Sequence, residues 1–182
     1  LVGQFKQAST EMSVAKATLE NVSKGFKEYS ENMAFLKNIS NKYGQDLISL
    51  TNGFAKFRAA ADQTNLSIDQ MRYIYDALTR AAGAYHLSAE QTANVMLAVE
   101  QMLSKGKVTA EELRRQLGNS LPGAFNLMAQ AAGVSTAELE RMMKAGQVIS
   151  EDVLPRFAQV LNATTAAANF DSLQSSLNRF KN

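Results

Sequence analysis

One short pattern recurs from residue 66 on and restricts that region to helices. At five expected helix starts an apolar residue stands directly before a Ser or Thr: Leu66-Ser67, Leu87-Ser88, Val108-Thr109, Val134-Ser135 and Ile149-Ser150. In the first four, the third residue after the hydroxyl is Gln70, Gln91, Glu112 and Glu138. This spacing is typical of a capping box, in which two free amides at the start of a helix are satisfied reciprocally. The pattern predicts helices near 67–82, 88–104, 109–117, 121–131, 135–144 and 150–161.

Glycine and proline residues mark the expected helix ends. Gly83, Gly106, Gly133 and Gly146 precede most of the caps and suit a helix stop. In QLGNSLPGAF, residues 116–125, Gly118 is predicted to end one helix, and Pro122 to lie in the first turn of the next. Pro155 predicts either a separate turn at 150–153 or a kink. The predicted caps and corners are Ser67, Ser88, Thr109, Gly118, Ser135, Gly146 and Ser150.

The N-terminal segment carries an apolar stripe with a seven-residue period. Apolar residues occupy every position of the series Leu1, Phe5, Ala8, Met12, Ala15, Leu19, Val22, Phe26, Tyr29, Met33 and Leu36. Such a repeat favours a left-handed pairing of helices. Two interpretations remain open: the stripe packs on the same domain, or it forms an intermolecular coil. Gly25 disfavours a long rigid rod at that point.

These patterns together predict an all-α fold, with long N-terminal amphipathic helices followed by a bundle of short capped helices. A further helix is expected over 45–62, after a stop at Gly44. No segment alternates apolar and polar residues long enough for a strand. An echo at a spacing of 40 relates Gly106 and Val108 to Gly146 and Val148. The expected domains are a coiled-coil-like helix at 1–39, a helical domain at 40–165, and an exit helix at 166–182 that leads into a longer chain.

The residues that common enzymes and metal sites require are scarce. The chain has no Cys and a single His, His86, so a zinc site or a thiol nucleophile is not expected. The adjacent acids Glu111-Glu112 and Glu151-Asp152 point about 100° apart on a helix, and their place in a first turn suits the helix dipole. No phosphate-binding glycine loop occurs. We therefore expect no catalysis, no cofactor, no metal, no small-molecule substrate and no membrane span.

The charge balance disfavours nucleic acid as a partner. Between residues 105 and 160 seven bases face six acids, and a recognition helix reading LERMM would be repelled by phosphate. The exposed positions predicted to contact a protein partner are Lys105, Lys107, Arg114, Arg115 and Pro122. A solvated face is the alternative interpretation of each.

Several ordered pieces of the middle region resemble one known family. SKGKVTAEELRRQLG at 104–118, LPGAF at 121–125, GVSTAEL at 133–139 and GQVISEDVLP at 146–155 closely resemble the N-terminal domain of bacteriophage and prophage tail tape measure proteins. KYGQDLISLTNGFAKFRAAA at 42–61 and DSLQSSLNRF at 171–180 look like the flanks of that domain. The resemblance covers roughly residues 40–180.

The resemblance implies a structural protein around which the tail tube polymerises, without catalytic residues in this region. It implies tail tube, tail tip or assembly-chaperone proteins as partners, and a location in the virion tail, with the host cytoplasm during assembly. The apolar stripe of the N-terminal segment further predicts that the protein self-associates through its N-terminal helix. Two alternatives remain: a generic helical adaptor or coiled-coil scaffold, and a helix-turn-helix nucleic-acid binder.

Overall fold

A computed structural model describes residues 2–170, 178–180 and 182, and the fold over these residues is all-α, as predicted. The helices are α1 Val2–Val22, α2 Phe26–Tyr43, α3 Leu47–Ala61, α4 Ile68–Ala84, α5 Ala89–Lys105, α6, α7 Ala124–Ala132, α8 Thr136–Lys144 and α9 Ser150–Thr164. Helix α6 consists of a π-helical stretch, Glu111–Leu117, that continues into one turn, Gly118–Ser120.

The N-terminal segment, expected as one helix over 1–39, is divided. A three-residue break at 23–25 separates α1 from α2, and α2 runs on to Tyr43. Gly25 has φ 89° and ψ 172°, a conformation that glycine alone adopts readily. The stripe packs partly on its own domain, because Ala15, Leu19, Met33 and Leu36 are buried. Ala8 and Phe26 are exposed stripe residues.

The core is built around α3. Helix α3 packs against both α1 and α5, while α9 packs against α4 and α7. The rings of Phe54 and Phe57 on α3 lie 5.0 and 5.5 Å from the ring of Tyr75 on α4, and all three side chains are buried. Aromatic pairs at this separation stabilise a core beyond the area they bury.

Side-chain caps, three from serines and one from an aspartate, explain where four helices begin. The side chains of Ser67, Ser88 and Ser135 accept hydrogen bonds from the amides three residues on, and the first two complete capping boxes. Asp46 caps α3 in the same way. Because these bonds satisfy amides that have no partner inside the helix, each fixes the residue at which its helix starts.

Thr109 and Ser150 do not act as helix caps, which corrects two predictions. The Thr109 hydroxyl donates to the Glu112 carboxylate, and α6 begins after Ala110 without a side-chain cap. Ser150 is the first residue of α9, where Ile149 occupies the cap position, and its hydroxyl donates to the Met102 carbonyl oxygen. In each case the hydroxyl donates to a nearby acceptor, the Glu112 carboxylate or the Met102 carbonyl oxygen, and does not accept from an amide at the start of the helix.

The predicted helix stops hold at some glycines and fail at others. Gly106 and Gly133 end α5 and α7 in the left-handed conformation. Gly83 lies inside α4, and Gly118 keeps helical angles of φ −65° and ψ −29°. A Cβ on Gly118 would lie 3.0 Å from the Leu113 carbonyl oxygen, to which the Gly118 amide donates. Gly118 therefore permits the wide π turn rather than ending the helix.

Pro122 does not lie in the first turn of a helix as predicted, and no separate turn precedes Pro155 at 150–153. Pro122 precedes α7 in a turn, and the cap residue is Gly123 at φ 72°. Pro155 lies inside α9, whose helical assignment is continuous from Ser150 to Thr164.

The C-terminal residues return to the α2–α3 corner. Arg80 donates to the hydroxyl and carbonyl oxygens of Thr165, and the Phe170 ring lies 5.0 Å from the Tyr43 ring. The Asn182 side chain accepts a hydrogen bond from the Leu47 amide. Leu173 and Leu177 of the expected exit helix lie outside the described residues, and Phe180 is exposed. No helix in the described part of the chain is both long and apolar enough to cross a membrane.

Candidate docking surface at the paired corners

The two echoed glycine corners lie side by side. We call residues 106–109, between α5 and α6, the first corner, and residues 146–149, between α8 and α9, the second corner. The Val108 amide donates to the Val148 carbonyl oxygen at 2.8 Å, and the Ser150 amide donates to the Gly106 carbonyl oxygen at 3.1 Å. These two bonds form an isolated antiparallel bridge between Lys107 and Ile149.

Buried side chains hold the two corners against the core. Val108 and Val148 are buried directly beneath the bridge. The Ser150 hydroxyl reaches the carbonyl of Met102 in the last turn of α5, which ties α9 to α5. Because four helices meet at these contacts, the corners form one fixed surface rather than two separate loops.

Glu112 is the buried charge beneath the first corner. Its side chain is 1% exposed, and its carboxylate accepts hydrogen bonds from the Lys105 ammonium and the Thr109 hydroxyl. Burial alone would raise the pKa of Glu112, but the bonds from Lys105 and Thr109 lower that pKa below its ordinary value. Glu112 therefore stays ionised and holds Lys105 at the end of α5.

Arg114 connects three helices instead of standing free. Its guanidinium lies 4.1 Å from the centre of the Phe125 ring on α7, and its Nη2 lies 3.1 Å from a Glu140 oxygen on α8. Lys144 shares the same carboxylate at 3.5 Å. An arginine stacked on a ring and paired with a carboxylate stabilises the packing of its neighbours.

The other three predicted contact residues are available at the surface. Lys107, Arg115 and Pro122 are all exposed, and within the described ranges no hydrogen bond or ion pair holds the two cations. Ile149, across the bridge from Lys107, is 40% exposed. All five predicted contact residues are therefore exposed, but Lys105 and Arg114 pair with acids of the same chain, Glu112 and Glu140.

The sequence analysis missed a second buried charge network, centred on Arg58 of α3. Arg58 is 4% exposed, and it donates to Glu28 at 2.9 Å and to Asp62 at 3.0 Å. These residues line a cavity of about 280 Å³ at the junction of α2, α3 and α4. The charged side chains that line the cavity are two cations and two anions, and they pair with one another across the helices. The cavity lining therefore presents no unpaired charge.

The described residues contain no group of three or more His, Asp or Glu side chains that could hold a metal.

The fold is that of an all-α protein in which buried charged side chains connect helices and the paired corners lie at the surface. A family model for tape measure proteins matches residues 3–182. The chain belongs to the tape measure protein family, whose role in the phage tail is structural.

A curated relative agrees with this assignment. The chain is 31% identical over 173 residues to a probable tape measure protein of Salmonella phage Felix O1, isolate Felix O1-VT1. The match covers 87% of this chain and 23% of that protein, so the chain spans less than a quarter of the relative's length. No solved structure matches the chain.

Proposed function

We propose that this chain is a non-catalytic docking module of a tape measure protein, and that it binds tail tube, tail tip or assembly-chaperone proteins during tube assembly. The observation that carries the proposal is the paired-corner surface. The backbone bridge and the buried Glu112 fix its shape, while Lys107 and Arg115 have no ion-pair partner among the residues that the structure describes. A fixed surface loses little conformational entropy when it binds.

The expected partner surface is acidic with an apolar centre. Ile149, across the bridge from Lys107, provides exposed apolar area, and Pro122 is a further exposed apolar residue. Because surface cations steer association more than they tighten it, we expect the partner to bind faster at low salt. Assembly of this kind would take place in the host cytoplasm before the module enters the virion tail.

Binding of the phage's own tail tube, tip and chaperone proteins, each purified, tests the proposal by calorimetry. The double variant Lys107→Glu/Arg115→Glu should weaken binding of one of them at least tenfold. Lys37→Glu/Lys56→Glu makes the same charge change on exposed residues of α2 and α3, and should leave binding unchanged. Equal loss in both variants would reduce the effect to net charge, and binding of random DNA would favour the nucleic-acid alternative.

We also propose that the module self-associates through the N-terminal stripe. The support is the uncovered part of the stripe, since Ala8 and Phe26 keep the heptad phase but face solvent. Exposed apolar residues at coiled-coil spacing favour pairing with another helix. Light scattering over a wide concentration range should show a dimer or higher state that disappears in Ala8→Glu/Phe26→Glu, which changes two exposed stripe positions and leaves the buried ones intact.

A further inference from the structure

The break between α1 and α2 does not disturb the heptad phase of the stripe. Leu19, Val22, Phe26, Tyr29 and Met33 keep spacings of three and four residues across the break at 23–25. In the bent structure α1 packs mainly on α3, whereas α2 packs on both α3 and α4. The bent form therefore does not require that the two helices share one heptad phase. A straight helix over residues 2–43 would carry all these residues on one seam.

Helix α1 packs on the body of the domain rather than on its neighbour in sequence. Its main contact is with α3, where Leu19 is buried, and it contacts α2 very little. Removal of α1 would therefore leave the packing of α2 intact and uncover one face of α3. An α1 from a second copy has the sequence that fits that face.

The bend is held by few interactions. The buried Asn32 amide donates to the Ser23 hydroxyl at 3.4 Å, and the exposed Lys24 pairs with Asp62 at 3.5 Å. The remaining requirement is Gly25, whose backbone angles exclude other residues and whose Cα has open space around it. Short connections of this kind allow identical elements to exchange between copies.

From these observations we propose that residues 23–25 are a hinge through which α1 straightens onto α2 and exchanges between two copies of this chain. In the exchanged dimer α1 of each copy packs on α3 of the other, and the α1–α3 contact is unchanged. Phe26, 76% exposed in the bent form, lies at mid-length of the straight seam, where the two long helices cross. This inference rests on the proposed self-association and specifies its route.

Gly25→Ala tests the hinge, because alanine disfavours the bend and favours a continuous helix. Together these effects should shift the balance from bent to straight about a hundredfold. Gly133→Ala is the control, since Gly133 also has a positive φ and nothing within 4 Å of an added Cβ, but ends α7 away from the hinge. Light scattering should show dimers of Gly25→Ala and monomers of Gly133→Ala at the same concentration.

A distance measurement separates exchange from other forms of self-association. The chain has no Cys, so spin labels on Thr10→Cys and Lys37→Cys, both exposed positions, report one distance when diluted with unlabelled chain. An unbroken helix places these residues about 40 Å apart. Gly25→Ala dimers at that distance support exchange. Dimers with the shorter wild-type distance overturn exchange but retain self-association, and a monomer at every concentration overturns both.

The wild-type protein and one further variant cover the case in which Gly25→Ala does not fold. Wild-type protein, concentrated, warmed to just below its melting temperature and cooled, should gain a population at about 40 Å. Phe26→Ser should reduce that population at least fivefold without lowering the melting temperature of the monomer. Absence of the long distance from the wild-type protein would overturn the hinge.

Discussion

The Tyr75 hydroxyl oxygen lies 2.6 Å from the point that a Cβ on Gly53 would occupy. The same hydroxyl donates to the Leu50 carbonyl oxygen at 2.9 Å, and burial raises the pKa of the Tyr75 phenol far above its ordinary value. Tyr75 is therefore a permanent donor that reaches the α3 backbone only because residue 53 has no side chain. This contact joins α3 and α4 at the centre of the core.

Gly53→Ala should destabilise the protein by about 1–3 kcal/mol, because the new methyl group overlaps the Tyr75 hydroxyl. Tyr75→Phe alone should cost about 1 kcal/mol through the lost hydrogen bond. The double variant should cost clearly less than the sum, since the ring carbon nearest to the new Cβ lies at an ordinary 3.7 Å. Urea unfolding measures all three. Simple additivity would show that the two residues are not coupled.

Arg58→Lys should cost about 1–3 kcal/mol, because one ammonium cannot replace two guanidinium bonds to Glu28 and Asp62 in a buried site. Arg141→Lys provides the matched control. Arg141 also makes two bonds to a carboxylate, that of Glu138, but its side chain is 64% exposed. Its replacement should change the free energy of unfolding by about 0.5 kcal/mol or less. Equal costs would contradict the importance of burial.

Glu112→Gln should remove part of the acid sensitivity of the fold and cost about 1–3 kcal/mol at neutral pH. The folded pKa of Glu112 is lowered, so its contribution is present above the ordinary glutamate pKa of about 4.3 and is lost as pH falls below that value. Unfolding free energies at several pH values from 3 to 7 test this. Glu111→Gln changes the neighbouring, exposed acid and should leave the pH profile almost unchanged.

Leu121→Asp should unfold the corner before α7, because Leu121 is fully buried and an unpaired carboxylate there costs at least about 4 kcal/mol. Pro122→Ala, one residue on, should leave the melting temperature within a few degrees, since Pro122 is exposed. Thermal melting compares the two variants. A stable Leu121→Asp protein would show that Leu121 is accessible and that a partner, not the core, selects it.

Local signals predicted much of this fold. The capping boxes at Ser67 and Ser88 join residues only three positions apart in the first turn of a helix, so the spacing in the sequence is sufficient to predict them. The same spacing failed at Thr109, where the Glu112 carboxylate accepts hydrogen bonds from the Thr109 hydroxyl and the Lys105 ammonium and no side chain caps the helix start. Gly118 was assigned a helix stop because its closeness to Leu113 depends on a π turn that propensity does not encode.

Long-range pairings were beyond the sequence analysis. The echo between 106–108 and 146–148 indicated two similar corners, but nothing in it showed that they contact each other. Arg58 and its two acids are 30 and 4 residues apart, and only the packing of α2 on α3 completes the set. All five predicted contact residues are exposed, as charged and turn residues commonly are. The internal bonds of Lys105 and Arg114 depend on where α6, α7 and α8 meet.

The docking of tail proteins at the exposed positions Lys107, Arg115 and Pro122 is tested most directly by site-specific cross-linking in assembling tails. A photoreactive residue replaces Pro122 in the full-length protein, and the same residue at Lys37 is the control. We expect the residue at position 122 to cross-link to a tail tube, tip or chaperone protein, and the residue at position 37 to form no such cross-link. Cross-links from position 37 to such a protein, with none from position 122, would contradict this expectation.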